Sequence, residues 1–449
     1  MHSVTGLSVL AVLTVAAPLS ALAEAAQDTN APEDYSLHGQ STFVLQYHPG
    51  FHSPYRGANS LDPGSRGNET FDAAIFASAR LWRQTEAYLD VEADQGFGLS
   101  NTLGAAGYLS GEAYKVGANW PYLRVPRLFL RQTFDLGDLG DLGGEDVVLA
   151  PAANQLGGTR ATDNIIVTLG KFSPTDMFDA NRYAHDPRAD FFNWSIVDSG
   201  AFDYAADAWG YSYGGAAEWT QAWWTLRLGA FNLSRVPNSR FLQRDFSQFE
   251  LVAEGEMRET IDNHPGSIKL LGFVNRGHMA DYERAVTAGL LTNTTPDTAT
   301  LRDYASRPGF ALNVEQQIDS EWGVFVRASF NDGTKEAYEF TEINKSLAAG
   351  ASFAGTDWGR PEDVFGIAGV VNGLSRSARD YFAAGGLGIL IGDGRLPHYS
   401  SEDILETYYR LSVVEGVAVS FDYQYVAHPA YNADRGPVSA FGLRVHAER

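Results

Sequence analysis

Between residues 36 and 446 the chain returns again and again to one pattern, a short segment in which apolar and polar side chains alternate strictly. Residues 417–425 put Val417, Val419, Phe421, Tyr423 and Tyr425 on one parity and Ala418, Ser420, Asp422 and Gln424 on the other. Residues 322–330 set Trp322, Val324, Val326, Ala328 and Phe330 against Gly323, Phe325, Arg327 and Ser329. Residues 85–94 set Ala87, Leu89, Val91 and Ala93 against Glu86, Tyr88, Asp90, Glu92 and Asp94. Successive side chains of a strand point to opposite faces, so each segment reads as a strand with one oily and one polar face. Similar segments lie near 36–47, 71–80, 122–134, 163–171, 207–218, 222–233, 244–254, 267–277, 308–317, 345–354, 363–372, 379–391, 403–413 and 437–446, giving seventeen candidates, one of them in excess.

The polar parity decides the architecture. It carries Arg, Glu and Asp in strand after strand, too many charges for a packed soluble core. Those faces need water and the opposite faces need hydrocarbon. A closed sheet with a wet lumen and a lipid-facing apolar band satisfies both and leaves no unpaired strand edge in the bilayer. Segments of about ten residues match a tilted strand crossing the hydrocarbon layer. Tyr47, Phe51, Trp82, Trp120, Trp219, Trp223, Trp322, Tyr423 and Tyr425 near segment ends suit interfacial girdles. The competing all-β reading, a soluble sandwich or propeller, would have to bury the charged parity, and no fixed repeat of 40–50 residues supports a propeller.

Composition narrows the setting. The 449 residues carry 33 Lys+Arg against 55 Asp+Glu, a formal charge of −22, which excludes the basic footprint of a nucleic-acid binder. Arg outnumbers Lys 28 to 5, so positive charge sits on planar multi-donor guanidinium groups. With no Cys, thiolate metal sites and disulfides are impossible. Residues 7–19 form an apolar run too short for a bilayer span, followed by Ala21-Leu22-Ala23. They read as a secretory signal over 1–23 with a flexible start at 24–35, although the segment before the run carries His2 and no Lys or Arg.

Two stretches break the strand rhythm. Residues 95–121 hold Gly-rich turns and a short helix, and residues 172–206 are rich in Asp, Asn and aromatics and too long for a tight turn. The second is the candidate constriction loop, folded inward with one or two short helices. Residues 284–306 read as an ordinary exposed loop.

At this point specific residues resemble the carbohydrate-selective porins of Gram-negative outer membranes. They are Ser53-Pro54-Tyr55-Arg56-Gly57 with Asn59-Ser60-Leu61, Asp94-Gln95-Gly96-Phe97-Gly98-Leu99, Gly111-Glu112-Ala113-Tyr114-Lys115 and Arg127-Leu128-Phe129-Leu130-Arg131-Gln132-Thr133. Gly170-Lys171-Phe172 with Asp176, Phe178-Asp179, Phe192-Asn193-Trp194 and Asp203-Tyr204-Ala205 complete the set, and the similarity runs from about 36 to 446. The resemblance implies an all-β fold, a closed antiparallel transmembrane β-barrel of 16 strands over 36–449 with an inward-folded loop. It also implies facilitated diffusion of mono- and short oligosaccharides into the periplasm without an energy source. Members of such families end on an aromatic residue, whereas the in-phase terminal position here is Arg449.

Sugars are neutral and rich in hydroxyls, so a selective pore needs bidentate donors, carboxylate acceptors and aromatic faces. With the apolar parity facing lipid, the lumen receives Arg80, Glu86, Asp90, Glu92, Asp94, Arg127, Arg131, Arg227, Glu315, Arg327, Glu406, Arg410, Arg444 and His446. Asp176, Asp179, Asn181, Arg182 and Asn193 of the long loop are placed to close an eyelet, with Trp194 or Phe192 as a stacking surface. The candidate substrate-binding set is Glu86, Asp90, Glu92, Arg127, Arg131, Arg227, Arg327, Arg410, Asp176 and Trp194. For each of these charges, bracing the inward loop is the competing role. A general diffusion porin with weak cation preference, a barrel enzyme and a structural barrel are the alternatives. Enzymatic chemistry lacks support: Glu86 and Asp90 stand roughly 13 Å apart along a strand, too far for paired-carboxylate hydrolysis. The ten His residues form no HExxH pattern. No cofactor, metal or nucleic-acid partner is implied; the partners expected are saccharides and outer-membrane lipid, with the chain a monomer or a homotrimer.

Overall fold

The computed structural model describes residues 32–113, 117–136 and 145–449. The expected signal 1–23, most of the flexible start 24–35, Tyr114 and Lys115 lie outside the described residues.

Sixteen antiparallel strands, each hydrogen-bonded to its sequence neighbour, form the wall. They are β1 Tyr35–His48, β2 Arg66–Trp82, β3 Thr85–Gly96, β4 in two pieces (Ala118–Arg124 and Leu128–Asp135), β5 Asn164–Phe172, β6 Ser212–Gln221, β7 Trp224–Asn232 and β8 Phe249–Ile261. The circuit continues through β9 His264–Met279, β10 Asp303–Gln317, β11 Trp322–Asn331, β12 Lys345–Ala354, β13 Val364–Gly373, β14 Glu402–Val414, β15 Val417–Ala427 and β16 Val438–Glu448. β16 pairs back onto β1 from Gln40↔Glu448 to Tyr47↔Phe441, so the sheet closes and exposes no edge.

Alternation sets the two faces. On β3, Tyr88, Asp90, Glu92 and Asp94 are buried inward while Leu89 and Val91 are exposed outward; on β11, Phe325 and Arg327 point in while Val326 and Phe330 point out. The outer surface therefore presents Leu270, Phe310, Phe421 and their neighbours as an exposed apolar band. Trp82, Trp120, Trp219 and Trp223 lie exposed at strand ends, whereas Phe51 packs against an inner apolar cluster under Arg435 and belongs to no girdle.

Four sequence expectations change. The segment 122–134 is not one strand: Pro126 interrupts the ladder, and the inward parity shifts from Tyr122 and Arg124 to Phe129 and Arg131. The surplus candidate is 379–391, where helix α3 (Arg376–Ala383, labelled after α1 Trp194–Val197 and α2 Tyr282–Thr292) starts from a Ser375 cap whose hydroxyl accepts the Ala378 N–H. The expected loop 284–306 contains most of α2, opened by Asp281 accepting the Arg284 N–H and closed by Asn293 in the left-handed region. The lumen is also less uniformly polar than alternation suggests. Phe129, Phe172, Phe231, Val252, Leu271 and Phe273 point inward and pack with Phe178, Phe202 and Tyr204 of the connection after β5.

Both described termini and most short turns (83–84, 222–223, 262–263, 415–416) lie at one end, and the long connections lie at the other. In outer-membrane barrels these are the periplasmic and extracellular ends, respectively.

Candidate functional site

The long connection between β5 and β6, residues 173–211, enters the lumen and is built to stay there. It leaves β5 through a capping box in which Ser173 and Asp176 satisfy each other's backbone N–H groups. Asn193 caps α1 by accepting the Ser195 N–H, and the segment 191–206 is buried. The wall supplies anchors matched to the loop's unpaired backbone. Glu406 accepts the N–H groups of Phe192 and Asn193, Glu254 accepts that of Asp179 at 2.8 Å, and Glu315 accepts that of Arg182 at 2.7 Å. Guanidinium groups answer the carbonyls: Arg327 donates to Ile196 and Asp179, and Arg444 donates to Pro187, Ala189 and Asp190. The shorter inward stretch 105–110 is held in the same way, with Glu402 accepting from Ala106 and Gly107. Charges buried in this number persist because each meets an opposite charge or several backbone dipoles.

Between these loops and the β3–β4 wall a cavity of about 220 Å³ remains. Arg127 reaches across it, donating to Asp176 at 2.6 and 2.8 Å and to Asp90 at 3.3 Å. Arg188 lies among Glu112 at 3.3 Å, Asp72 at 3.6 Å and Glu92 at 3.7 Å, while Arg124 holds Glu92 and Asp94. The Tyr211 ring takes the Arg124 and Arg127 guanidiniums at 5.0 Å each. Trp194 borders the cavity too, stacked between Tyr108 at 5.1 Å and Phe340 at 5.3 Å, and Tyr204 leans on Phe340 at 4.2 Å. The cavity thus has a charged rim on one side and a slab of rings on another.

Loop acids sense the low dielectric. Burial, reinforced by nearby Asp179, pushes the Asp198 carboxyl up to about 7, and burial also raises Glu112 against the pull of Arg188. Burial and the Arg327 charge lower His185. Among the described residues no His/Asp/Glu group has the arrangement of a metal site.

The predicted residues divide by position. Arg127, Asp176 and Trp194 border the cavity, and Asp90 and Glu92 stand behind its rim as acceptors for Arg127 and Arg124. Arg227 is engaged by Glu218, Glu254 and Glu256, and Arg327 is sealed beneath the loop at 1% exposure. These two brace the wall and loop and do not reach the cavity. Arg131 and Glu86 lie toward the periplasmic end with Tyr88, where Arg80 meets Glu86. Arg410 borders a separate cavity at that end, and His446 bonds Thr42. Asp179, Asn181, Arg182 and Asn193 serve as loop anchors, and the Phe192 ring lies under Arg444, away from the cavity. Arg227, Arg327 and Phe192 therefore do not line this cavity. Sequence reasoning missed Glu112, Arg188, Trp209, Tyr211, Tyr108 and Phe340 as cavity residues. Glu112, Arg188, Tyr108 and Phe340 lie outside the alternating segments, so parity carries no signal for them, and Glu112 appears only as part of a resembling motif. Trp209 and Tyr211 fall in the candidate segment 207–218, but the strand begins at Ser212, so its parity does not reach them.

The geometry has counterparts among known proteins. The chain is similar in structure to Pseudomonas putida OprB solved at high pH, with a TM-score of 0.69 and 14% identity over 93% of this chain and 94% of that one. The low-pH structure of the same protein matches with a TM-score of 0.50 and 11% identity, covering 93% of each chain. At these identities the likeness concerns the fold. No curated protein matches the sequence. The sequence model of the carbohydrate-selective porin, OprB family, matches residues 58–448, and the chain belongs to that family of outer-membrane channels.

Proposed function

We propose that the cavity between residues 173–211 and the β3–β4 wall is the eyelet at which this porin selects mono- and short oligosaccharides during passive diffusion. The observation that carries this reading is the pairing of Arg127, Arg188, Asp176 and Glu112 with the rings of Tyr211, Trp194 and Tyr108 around one cavity of about 220 Å³. Guanidinium groups already engaged with carboxylates exchange partners with sugar hydroxyls at little net loss, since one hydrogen bond replaces another. The rings offer apolar faces to the C–H side of a pyranose. Export by removal of residues 1–23 and contact of the outer band with lipid complete the proposal. The general-porin reading gains no specific observation, because a non-selective channel has no need of rings beside the charged rim.

Liposome swelling tests it. Proteoliposomes should swell faster in glucose than in a trisaccharide, and Arg127→Ala with Arg188→Ala should reduce that contrast. Equal rates for solutes of equal size, whether or not they are sugars, would replace the proposal with general diffusion. N-terminal sequencing of membrane-inserted protein tests the expected start after Ala23.

A further inference from the structure

One periplasmic connection departs from its neighbours. The other described turns at that end hold two to nine residues, but β4 and β5 are joined through 136–163. Its described part contains a two-stranded hairpin, Asp146–Leu149 with Gly158–Ala161, whose tip turns back into the barrel. Asn154 donates to Asp90 at 2.9 Å, and its carbonyl accepts from Arg131 at 3.0 Å. Gly157 accepts from the Glu33 backbone at 2.9 Å and returns its own N–H to the Glu33 carboxylate at 2.8 Å; Arg80 donates to the carbonyls of both. Leu156 is buried. Pro151, Ala152 and Ala153 face His38, Gln40 and Phe76 and the chain end at Glu448 and Arg449 across a cavity of about 240 Å³. The tip therefore passes in front of β4, β3 and β2 and stops short of β1 and β16.

Its position relative to the eyelet is fixed by one carboxylate. One oxygen of Asp90, Oδ2, accepts both from Arg127 of the eyelet rim and from Asn154 of the tip. Tyr88, the next inward position of β3, contacts Arg131, which in turn holds Asn154. Neighbouring inward positions are about 7 Å apart along a strand, so a disaccharide leaving the eyelet meets the tip before it has cleared the rim.

We infer that residues 150–157 form a second constriction at the periplasmic exit, in series with the eyelet, which diverts saccharides from the β3–β4 wall toward the gap beside β1 and β16. Asn154 and Arg131 are its specificity-determining polar groups, and Pro151-Ala152-Ala153 is the smooth edge of the gap. The inference rests on the chain being a conducting channel but is read out by ions, so its failure is distinct from failure of sugar selection.

The absence of native Cys allows a direct test. Ala153→Cys, with Ala153 exposed at the gap, is inserted in a planar bilayer and treated with a bulky uncharged maleimide from each side in turn. The unlabelled variant supplies the reference conductance. Labelling from the periplasmic side should cut single-channel conductance at least about two-fold, because the added group occupies the gap between the tip and β1 and β16. Replacement of 150–157 by a Gly-Ser turn should raise conductance about two-fold or more and lessen discrimination between glucose and a trisaccharide. Full labelling by mass with unchanged conductance would overturn the inference, and so would a folded, shortened variant with wild-type conductance. If the shortened variant fails to fold, the labelling result alone decides.

Discussion

Asp203 offers a quantitative test of how the inner loop is held. Its carboxylate accepts the backbone N–H groups of Tyr338 at 2.7 Å, Glu339 at 3.0 Å and Phe340 at 3.2 Å, and it receives Arg307 at 2.7 Å. Arg307 is fully buried, and its other hydrogen bond goes to Asn331 at 3.0 Å. Asp203→Ala removes one partner of a buried pair, which costs about 3–5 kcal/mol. It also strips three N–H groups of an ionised acceptor, each worth roughly 1.5–3 kcal/mol in isolation. These losses overlap, since the freed groups share whatever water enters, so a total of about 4–6 kcal/mol is expected.

The loss falls on the contact between loop segments 173–211 and 332–344, whereas the strand ladders are untouched. Local opening is therefore expected ahead of barrel unfolding. The Trp194–Phe340 and Tyr204–Phe340 contacts depend on that junction. Asp203→Ala should keep the heat-resistant gel mobility of a closed barrel while its open-channel current rises and fluctuates. Sugar block should weaken by about ten-fold or more, since each 1.4 kcal/mol is a factor of ten. Adding Arg307→Met, which removes the orphaned charge, should recover part of the loss. A folded Asp203→Ala protein with wild-type current and sugar block would refute the anchoring argument.

Further outcomes follow from the same geometry. Arg127→Ala, which frees Asp176 and Asp90 together, should weaken sugar block by about ten-fold with little change in barrel melting, as for the loss of a charge-assisted pair at a partly solvated site; block equal to wild type would remove Arg127 from the eyelet. Because folding favours the protonated Asp198 carboxyl, its contribution to stability falls as pH rises from the ordinary carboxylate range through about 7 and is flat above it. In the same window the lumen gains negative charge, so reversal potentials should show cation preference growing between about pH 6 and 8, and Asp198→Asn should flatten that rise. Gly104 has φ +90°, and a Cβ there would meet the Leu61 backbone nitrogen at 1.7 Å. Gly104→Ala should part the two loops and speed tryptic cleavage after the exposed Arg56; unchanged resistance would contradict the packing argument.

The parts of the fold that the sequence discloses are those where alternation is uninterrupted. The β3, β11 and β15 segments show strict two-residue alternation, so their inward and outward faces follow directly. The reading fails where tertiary packing asks for something else. Phe129, Phe231 and Phe273 face inward because the inner loop brings Phe178 and Phe202 against them, and no local pattern announces a loop that supplies its own apolar core. The segment 379–391 mimics a strand through Tyr381, Phe382, Leu387 and Ile389, yet the Ser375 cap and the α2–α3 contact through Tyr282 and Tyr381 make its first part a helix.

The site follows the same division. Asp90, Glu92 and Arg127 are legible because they lie on or beside a strand of known phase. Arg188 and Tyr211 become lumen residues only when 173–211 turns inward, and the turn is dictated by wall acids such as Glu406 and Glu254 that bind its backbone. Much of the acidic parity that first suggested sugar contacts thus serves as loop anchors.

The central claim is that one channel carries a saccharide site at the Arg127–Arg188 eyelet. Its most direct test is single-channel current through the refolded mature protein in a planar bilayer, titrated from one side with glucose, maltose and sucrose. A concentration-dependent, saturable fall in current is expected, and Arg127→Ala with Arg188→Ala should relieve it. A steady current that ignores every sugar, or block that the double variant leaves untouched, would contradict it.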